Sequence, residues 1–313
     1  MVITLPNRDA VWFAEYEKGK HIDDEVVMWN ANECEIHHNY DYKTPLQCKS
    51  FTEISARHGL GTNENQSPPN YKHYSMPEYW MLDTLIINQY ILADGGLEED
   101  YHDHYTLMLG NRRPHRHMMW DLFCLYDMRN AHSTFQGIGV KIDIDQDHND
   151  ELGRVNWNPN NQRKTHMPPP WYKHVLFDVV VETHETIQFY TEKTFKPLLF
   201  KKIPLIFGAK NMYDQLREWG FMFCSDVINY DFVVEPHSYM RAKKLIEELR
   251  RIMRTYSPQE LADITRPSRE HNYRQYIDLC RNYKWPHPIE PSVSYQRLID
   301  RANKIANTLD IDL

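Results

Sequence analysis

The sequence predicts an α/β protein built on a doubly wound sheet, and three observations carry that expectation. "HVLFDVVVET" is a nearly continuous apolar run, as expected of a parallel strand covered on both faces. A loop, a short helix, the apolar strand "IPLIFG" and the helix "NMYDQLREWG" follow it, the alternation of βαβ chains. Upstream, the strand-like "YTLML" runs into a polar turn and an amphipathic helix, "HRHMMWDLFCLYDM", which repeats the pattern.

Taken in order, "VITLP" reads as a strand with a turn at Asn7–Asp9, and "AVWFAEYEKG" as a helix ending near Gly19. "EVVMWNANECEI" reads as a second strand region, and the polar stretch from Gly59 to Tyr74 as a loop. In "MPEYWMLDTLIINQYIL" the spacing of Tyr79, Leu82, Ile86 and Tyr90 is helical, with Pro77 near the start, where proline is tolerated. The turn at Asp94–Asp100 is the best domain boundary. Residues 141–170, with "PNNQ" and "MPPP", read as an extended surface insertion. "FMFCSDV" is strand-like, while "SYMRAKKLIEELRRIMRTY" and "SYQRLIDRANKIANTL" are amphipathic helices. The divisions expected are 1–100, 101–290 and a C-terminal helix over 291–313.

With 313 residues the chain has room for two cores, and its 41% hydrophobic and 26% charged content is ordinary for a soluble globular protein. No apolar run approaches the ~20 residues of a membrane span. "MVITLPNRDAVWF" lacks the pattern of a signal peptide, so a cytoplasmic protein is expected. The five scattered cysteines fit buried thiols in a reducing compartment. A formal net charge of -8 argues against a protein whose whole surface binds nucleic acid.

Two basic turns carry the functional expectation. In "FYTEKTFKPLLFKK", Lys193 and Lys196 crowd the start of a helix, an end that ordinarily attracts acids. Either Thr191 caps it, leaving Pro197 beyond the first turn, or Thr194 caps it with Pro197 in that turn. In both registers Glu192 and Lys193 lie beyond the C-terminal end of "VVVET", the edge where open α/β sheets bind ligands. Free N–H groups plus two lysines suit a phosphate, and Glu192 suits ribose hydroxyls. The bland reading is a solvated pair of lysines, one neutralised by Glu192. In "GNRRPHRHMMWDLF", Arg112, Arg113 and Arg116 fall in the turn after "YTLML", where their mutual repulsion calls for an anion.

These motifs resemble the donor-binding half of fucosyltransferase-type sugar transferases with the GT-B fold. The residues concerned are "PHR" at Pro114–Arg116, "VVVETH" at Val179–His184, "TEK" at Thr191–Lys193 and "IPLIFG" at Ile203–Gly208. The match is closer to a group of phage-encoded relatives with N-R-R-P-x-x-H-R and T-E-K-T-F-K-P patterns, and "LREWGF" at Leu216–Phe221 completes the series. The resemblance covers about Tyr105 to Phe232; residues 1 to about 100 align with nothing in it.

The resemblance implies two Rossmann-like domains facing a cleft, with C-terminal helices crossing back to the N-terminal one. Residues 1–100 would form the acceptor side and 101–290 the donor-binding domain. The donor would be a UDP- or GDP-sugar, with no required cofactor. Arg116 and Lys193 would contact the diphosphate and Glu192 the ribose. Glu182 and Thr183 would line the pocket near the sugar, with Arg112, Arg113, Thr191 and Lys196 in support. Transfer to a hydroxyl needs a general base; Asp9 is one candidate, and Glu15, Glu33 and Glu78 are others. Inversion at the anomeric carbon is implied.

No protein-held metal is expected. "DIDQDHNDE" begins like a calcium loop, but has His148 at the sixth place and Arg154 at the twelfth, so it reads as a solvated acidic loop. The histidine pairs in "YHDHY" and "HRH" lack metal-motif spacing. A divalent ion bridging the diphosphate stays open. The acceptor is a glycan, or a hydroxymethylated base in DNA that would need a basic groove such as "RAKKLIEELRRIMR". The rival class is a sugar-nucleotide-binding or phage assembly protein without catalysis.

Overall fold

A computed structural model describes residues 2–5, 21–30, 48–55, 57–58 and 71–309, the last span without 98, 111, 131, 136–137, 140–166 and 187. The first part carries β1 (Val2–Leu5), β2 (His21–Asn30), β3 (Cys48–Ser55), β4 (Arg57–His58) and β5 (Tyr71–Ser75). All but β4 form a parallel four-stranded sheet in the order β1-β2-β3-β5. The second part carries β6 (Asp103–Leu109), β7 (Ser133–Phe135), β8 (Val175–Val181), β9 (Gln188–Phe189) and β10 (Ile203–Phe207). Here β7-β6-β8-β10 make another parallel four-stranded sheet. β9 instead pairs antiparallel with β4, Phe189 opposite Arg57 and Gln188 opposite His58.

Eight α-helices accompany them among the described residues: α1 (Tyr79–Ile87), α2 (Gln89–Ala93), α3 (Pro114–Leu125), α4 (Glu192–Leu199), α5 (Met212–Glu218), α6 (Ser238–Thr255), α7 (Pro258–Arg281) and α8 (Val293–Thr308). None is long and apolar enough to cross a membrane. α3 and α6 pack together, and α4 packs on α1 and α7. α8 lies on α7 and α1.

Strand order in the second sheet decides where a ligand has access. From β6 the chain moves outward through α3 to β7; β8 then lies on the other side of β6, and α4 leads further out to β10. The winding direction reverses between β6 and β8. Loops at the carboxyl ends of two such strands diverge and leave a crevice, the usual ligand position of doubly wound sheets.

Local sequence explains the elements around this crevice. β8 and β10 are buried at every residue, which is why both read as apolar runs, that of β8 broken only by Asp178. Thr191 is the cap of α4: its Oγ1 accepts from the Lys193 amide at 3.3 Å, and Pro197 lies inside the helix. Of the two registers open in the sequence, the first is adopted. Pro114 takes the first position of α3 after an extended Arg113, where its missing N–H costs nothing. "LREWGF" is explained by helix termination. Gly220 follows α5 with φ +87°, and an added Cβ would come 2.7 Å from Gln275 Nε2, which donates to the Trp219 carbonyl at 2.6 Å.

Several expectations are corrected. Residues 71–74, expected in a loop, belong to β5. "FMFCSDV" holds turns rather than a strand, and the longest helix, α7, falls where none was predicted. α7 starts with a capping box, Ser257 accepting from the Glu260 amide at 3.3 Å while Glu260 accepts from the Ser257 amide at 2.8 Å. The expected helix over 10–19, and with it Asp9, Glu15 and Glu33, lies outside the described residues, as does the loop Asp143–Glu151.

Candidate functional site

The turn after β6 and the loop after β8 meet across the strand-order reversal. Arg112 is exposed and Arg113 half-buried, while Arg116 is only 3% exposed. The Arg116 guanidinium lies under Gly110, where an added Cβ would be 3.6 Å from Nη1, and Nη2 donates to Thr183 Oγ1 at 3.4 Å. His115 spans the same gap: its Nε2 donates to the Glu182 carbonyl at 2.8 Å. Burial lowers the His115 pKa, a shift the Glu182 carbonyl opposes and Arg116 reinforces, so the ring is neutral with its proton on Nε2.

Glu182 is the hub of the loop. It is fully buried, and its carboxylate collects only neutral donors. Oε1 accepts from the Thr191 amide at 3.1 Å and Thr194 Oγ1 at 2.6 Å. Oε2 accepts from Thr191 Oγ1 at 2.7 Å and the Thr183 amide at 3.3 Å. Burial raises its pKa, with Lys193 and the threonine hydroxyls pulling the other way. Gly208, which ends "IPLIFG", makes room for this hub: an added Cβ would meet Met212 Sδ at 2.5 Å and Glu182 Cβ at 3.4 Å.

The two lysines of "TEKTFKP" part company. Lys193 stays at the mouth of α4, where Nζ donates to Glu192 Oε1 at 2.8 Å and Thr191 Oγ1 at 3.2 Å. Lys196, expected at the same mouth, is turned into the interior of the sheet-helix interface. There its Nζ is 3.8 Å from Asp178 Oδ2 and 5.2 Å from the centre of the Tyr172 ring, and Tyr172 donates to the same carboxylate at 2.7 Å. The two lysines are three residues apart and so lie near one face of the helix; what differs is depth, Lys196 standing about 4.5 Å further along the axis, beside β8. Burial lowers the Lys196 pKa and raises that of Asp178, each opposed by the other's charge.

Thus Arg116, Thr183, Glu182, Thr191, Glu192 and Lys193 are brought together by contacts, with Arg112 and Arg113 on the rim and Lys196 apart. An open hollow of about 490 Å³ lies elsewhere, lined by Asp226, Asn229, Asp231, Arg251 and Tyr256 near the carboxyl end of α6.

Among the base candidates, Glu78 is the described one. It sits just before α1, beyond the carboxyl end of β5, and is half-buried. Burial pushes its pKa up to about 7, with its own backbone amide opposing. Its charge is felt by Tyr283 and Tyr295, whose hydroxyls are 3.5 Å apart.

The basic stripe on α6 is largely balanced. Lys243 pairs with Glu247 at 3.7 Å, Lys244 with Glu235 at 2.6 Å and Arg251 with Glu248 at 2.6 Å. At the opposite, amino edge of the second sheet, Asp100, His102 and His174 bring ligand-type atoms within 4.8 Å of one another. His115, noticed in the sequence only as part of the "HRH" pair, and Arg241, noticed only as part of the basic helix stripe, are placed at this edge of the sheet by their contacts with Glu182, Glu185 and Phe207.

No protein-family sequence pattern matches the chain, and no curated protein matches it.

Proposed function

We propose that this protein is a glycosyltransferase that moves a sugar from a nucleoside-diphosphate sugar to an acceptor hydroxyl, its two parallel sheets serving as facing Rossmann-like halves. The observation that carries the reading is the strand-order reversal between β6 and β8, flanked by the "NRRPHR" and "TEK" turns and bridged by Arg116 and Thr183. Fixed cations at a switch point suit a leaving diphosphate, since they stabilise charge that grows only as the bond to the anomeric carbon breaks.

In this reading Arg116 and Lys193 hold the diphosphate, Arg113 supports it from the rim and Glu192 takes the ribose hydroxyls. Glu182 acts as a positioning residue, because its four hydrogen bonds fix Thr183, Thr191 and Thr194. Glu78, with a pKa of about 7, is the base that accepts the acceptor's proton as the new carbon–oxygen bond forms. The paired charges along α6 favour a glycan or small hydroxyl acceptor over duplex DNA.

Titration with UDP, GDP and their sugars tests this directly. At a hundred times its dissociation constant a ligand adds about 2.7 kcal/mol of stability. Arg116→Ala and Lys193→Ala should each remove most of that gain; the reading fails if both variants bind as the wild type does. Glu78→Gln should leave nucleotide binding intact and abolish sugar transfer. The non-catalytic alternative expects nucleotide binding with no transfer in the wild type either.

A further inference from the structure

Arg241, in the first turn of α6, is an expensive residue to have buried without a use. It is 7% exposed, and among the described residues its Nε has no hydrogen-bond partner. Among the described residues its remaining nitrogens reach backbone oxygens at long range, Nη1 to Glu235 at 3.5 Å and Nη2 to Glu185 at 3.4 Å, while the carboxylates of those two residues act on it from beyond contact. The guanidinium lies 5.1 Å from the centre of the Phe207 ring, at the carboxyl end of β10. A buried guanidinium that meets no carboxylate in direct contact loses hydration without full compensation.

Its position gives that cost a purpose. Tyr126, just past the end of α3, donates to Glu247 at 3.3 Å, and its ring lies 5.1 Å from Arg250, both far along α6. α3 and α6 therefore run side by side in the same direction, and both start at the carboxyl edge. There the Arg241 fork fills the angle between the end of β10 and the loop that begins at Glu182. That loop carries Glu185, which accepts a hydrogen bond from Ser238 Oγ at the first residue of α6. A side-chain carboxylate of the protein itself thus sits where free N–H groups attract an anion.

We propose that Arg241 and the amino end of α6 bind a phosphoryl group of the ligand, and that Glu185 occupies this place until the phosphate displaces it. The inference rests on the sugar-nucleotide reading and deepens it. Arg116 and Lys193 serve one phosphate; Arg241, on the β10 side of the loop, serves the other. A diphosphate engages both sets, whereas a monophosphate engages one. Recognition of the diphosphate thereby becomes coupled to release of Glu185 from Ser238.

The test is calorimetric titration of inorganic pyrophosphate, UDP, GDP, UMP and GMP into the full chain, with urea unfolding to confirm that each variant is folded. Arg241→Met should weaken pyrophosphate and diphosphate binding about tenfold or more, the scale of one charge-assisted hydrogen bond, and monophosphate binding much less. Glu185→Gln should tighten pyrophosphate and the diphosphates by about threefold, as loss of a competing partly exposed charge would. A residue that merely braced the loop would make both variants bind more weakly or leave both unchanged, and either result overturns the proposal.

Should Arg241→Met fail to fold, Arg241→Lys, which keeps the charge and loses the fork, together with Glu185→Gln decides it by the same criteria. The two readings fail separately. If wild type binds pyrophosphate but no nucleotide, the sugar-nucleotide reading falls while the variants still score Arg241. If wild type binds none of the five, both fall.

Discussion

Asp178 and Glu182 belong to one strand and its end, and both are almost completely buried, at 3% and 0% exposure, yet they are accommodated by opposite means. Asp178, in the middle of β8, faces the Lys196 ammonium and the Tyr172 hydroxyl. Glu182, at the carboxyl edge, faces hydroxyls and amides from three threonines. Burial raises both pKa values, so each carboxylate is costly in its charged form. The difference lies in what each leaves for its surroundings. At Asp178 the charge is answered inside the protein and ties α4 to the sheet. At Glu182 the hydrogen bonds come from neutral groups, and the nearest ammonium, Lys193, pairs with Glu192 instead. One carboxylate ties a helix to the sheet; the other orders a loop.

Breaking the first arrangement should have the larger effect. Lys196→Met leaves Asp178 buried without its cation, and urea unfolding should show a loss of about 3 to 5 kcal/mol. Adding Asp178→Asn to that variant should restore most of the loss, because an amide can still accept from Tyr172. A double variant no better than the single would mean that the ion pair is incidental.

Glu182→Ala removes the acceptor for four donors and should cost on the order of 3 kcal/mol. No change at Lys193 should compensate for it. Lys193→Ala alone breaks a largely buried pair with Glu192, and should cost on the order of 2 to 3 kcal/mol while reducing nucleotide binding.

A third buried charge sharpens the comparison through pH. Lys202 is 1% exposed, 4.4 Å from the centre of the Tyr101 ring, and donates to the Lys173 carbonyl at 3.4 Å. Burial lowers its pKa from 10.5 to about 7; Glu99 opposes the shift and Arg269, itself bonded to Glu99 and Tyr101, adds to it. Between those two values the unfolded chain binds more protons than the folded one, so this group's contribution makes stability rise from pH 7 to 10.5. Glu78 runs the other way. Its pKa is raised from 4.5 to about 7, and its contribution makes stability fall as pH climbs through that interval. Lys202→Met should flatten the rise, and Glu78→Gln the fall, in melting curves recorded across pH. Unchanged slopes in both variants would show that neither group is strained by its burial.

What could be read from the sequence were the features enforced over short distances. The apolar runs at β8 and β10, the amphipathic faces of α6 and α8, and proline at the start of α3 follow from neighbouring residues and are realised. α7 was legible too, in the "SPQE" capping box, but Pro267 inside it interrupts the pattern and conceals the helix. "FMFCSDV" misleads in the opposite direction, since its apolar side chains pack into the core from a chain of turns. Tertiary structure alone decided that Lys196 turns inward to Asp178, that β6 and β8 flank a reversal, and that Arg241 of α6 arrives beside Phe207. Propensity and capping act within a turn or two of the chain. The partner of a buried charge is set by which distant segments pack against it, and that information is distributed over the whole sequence.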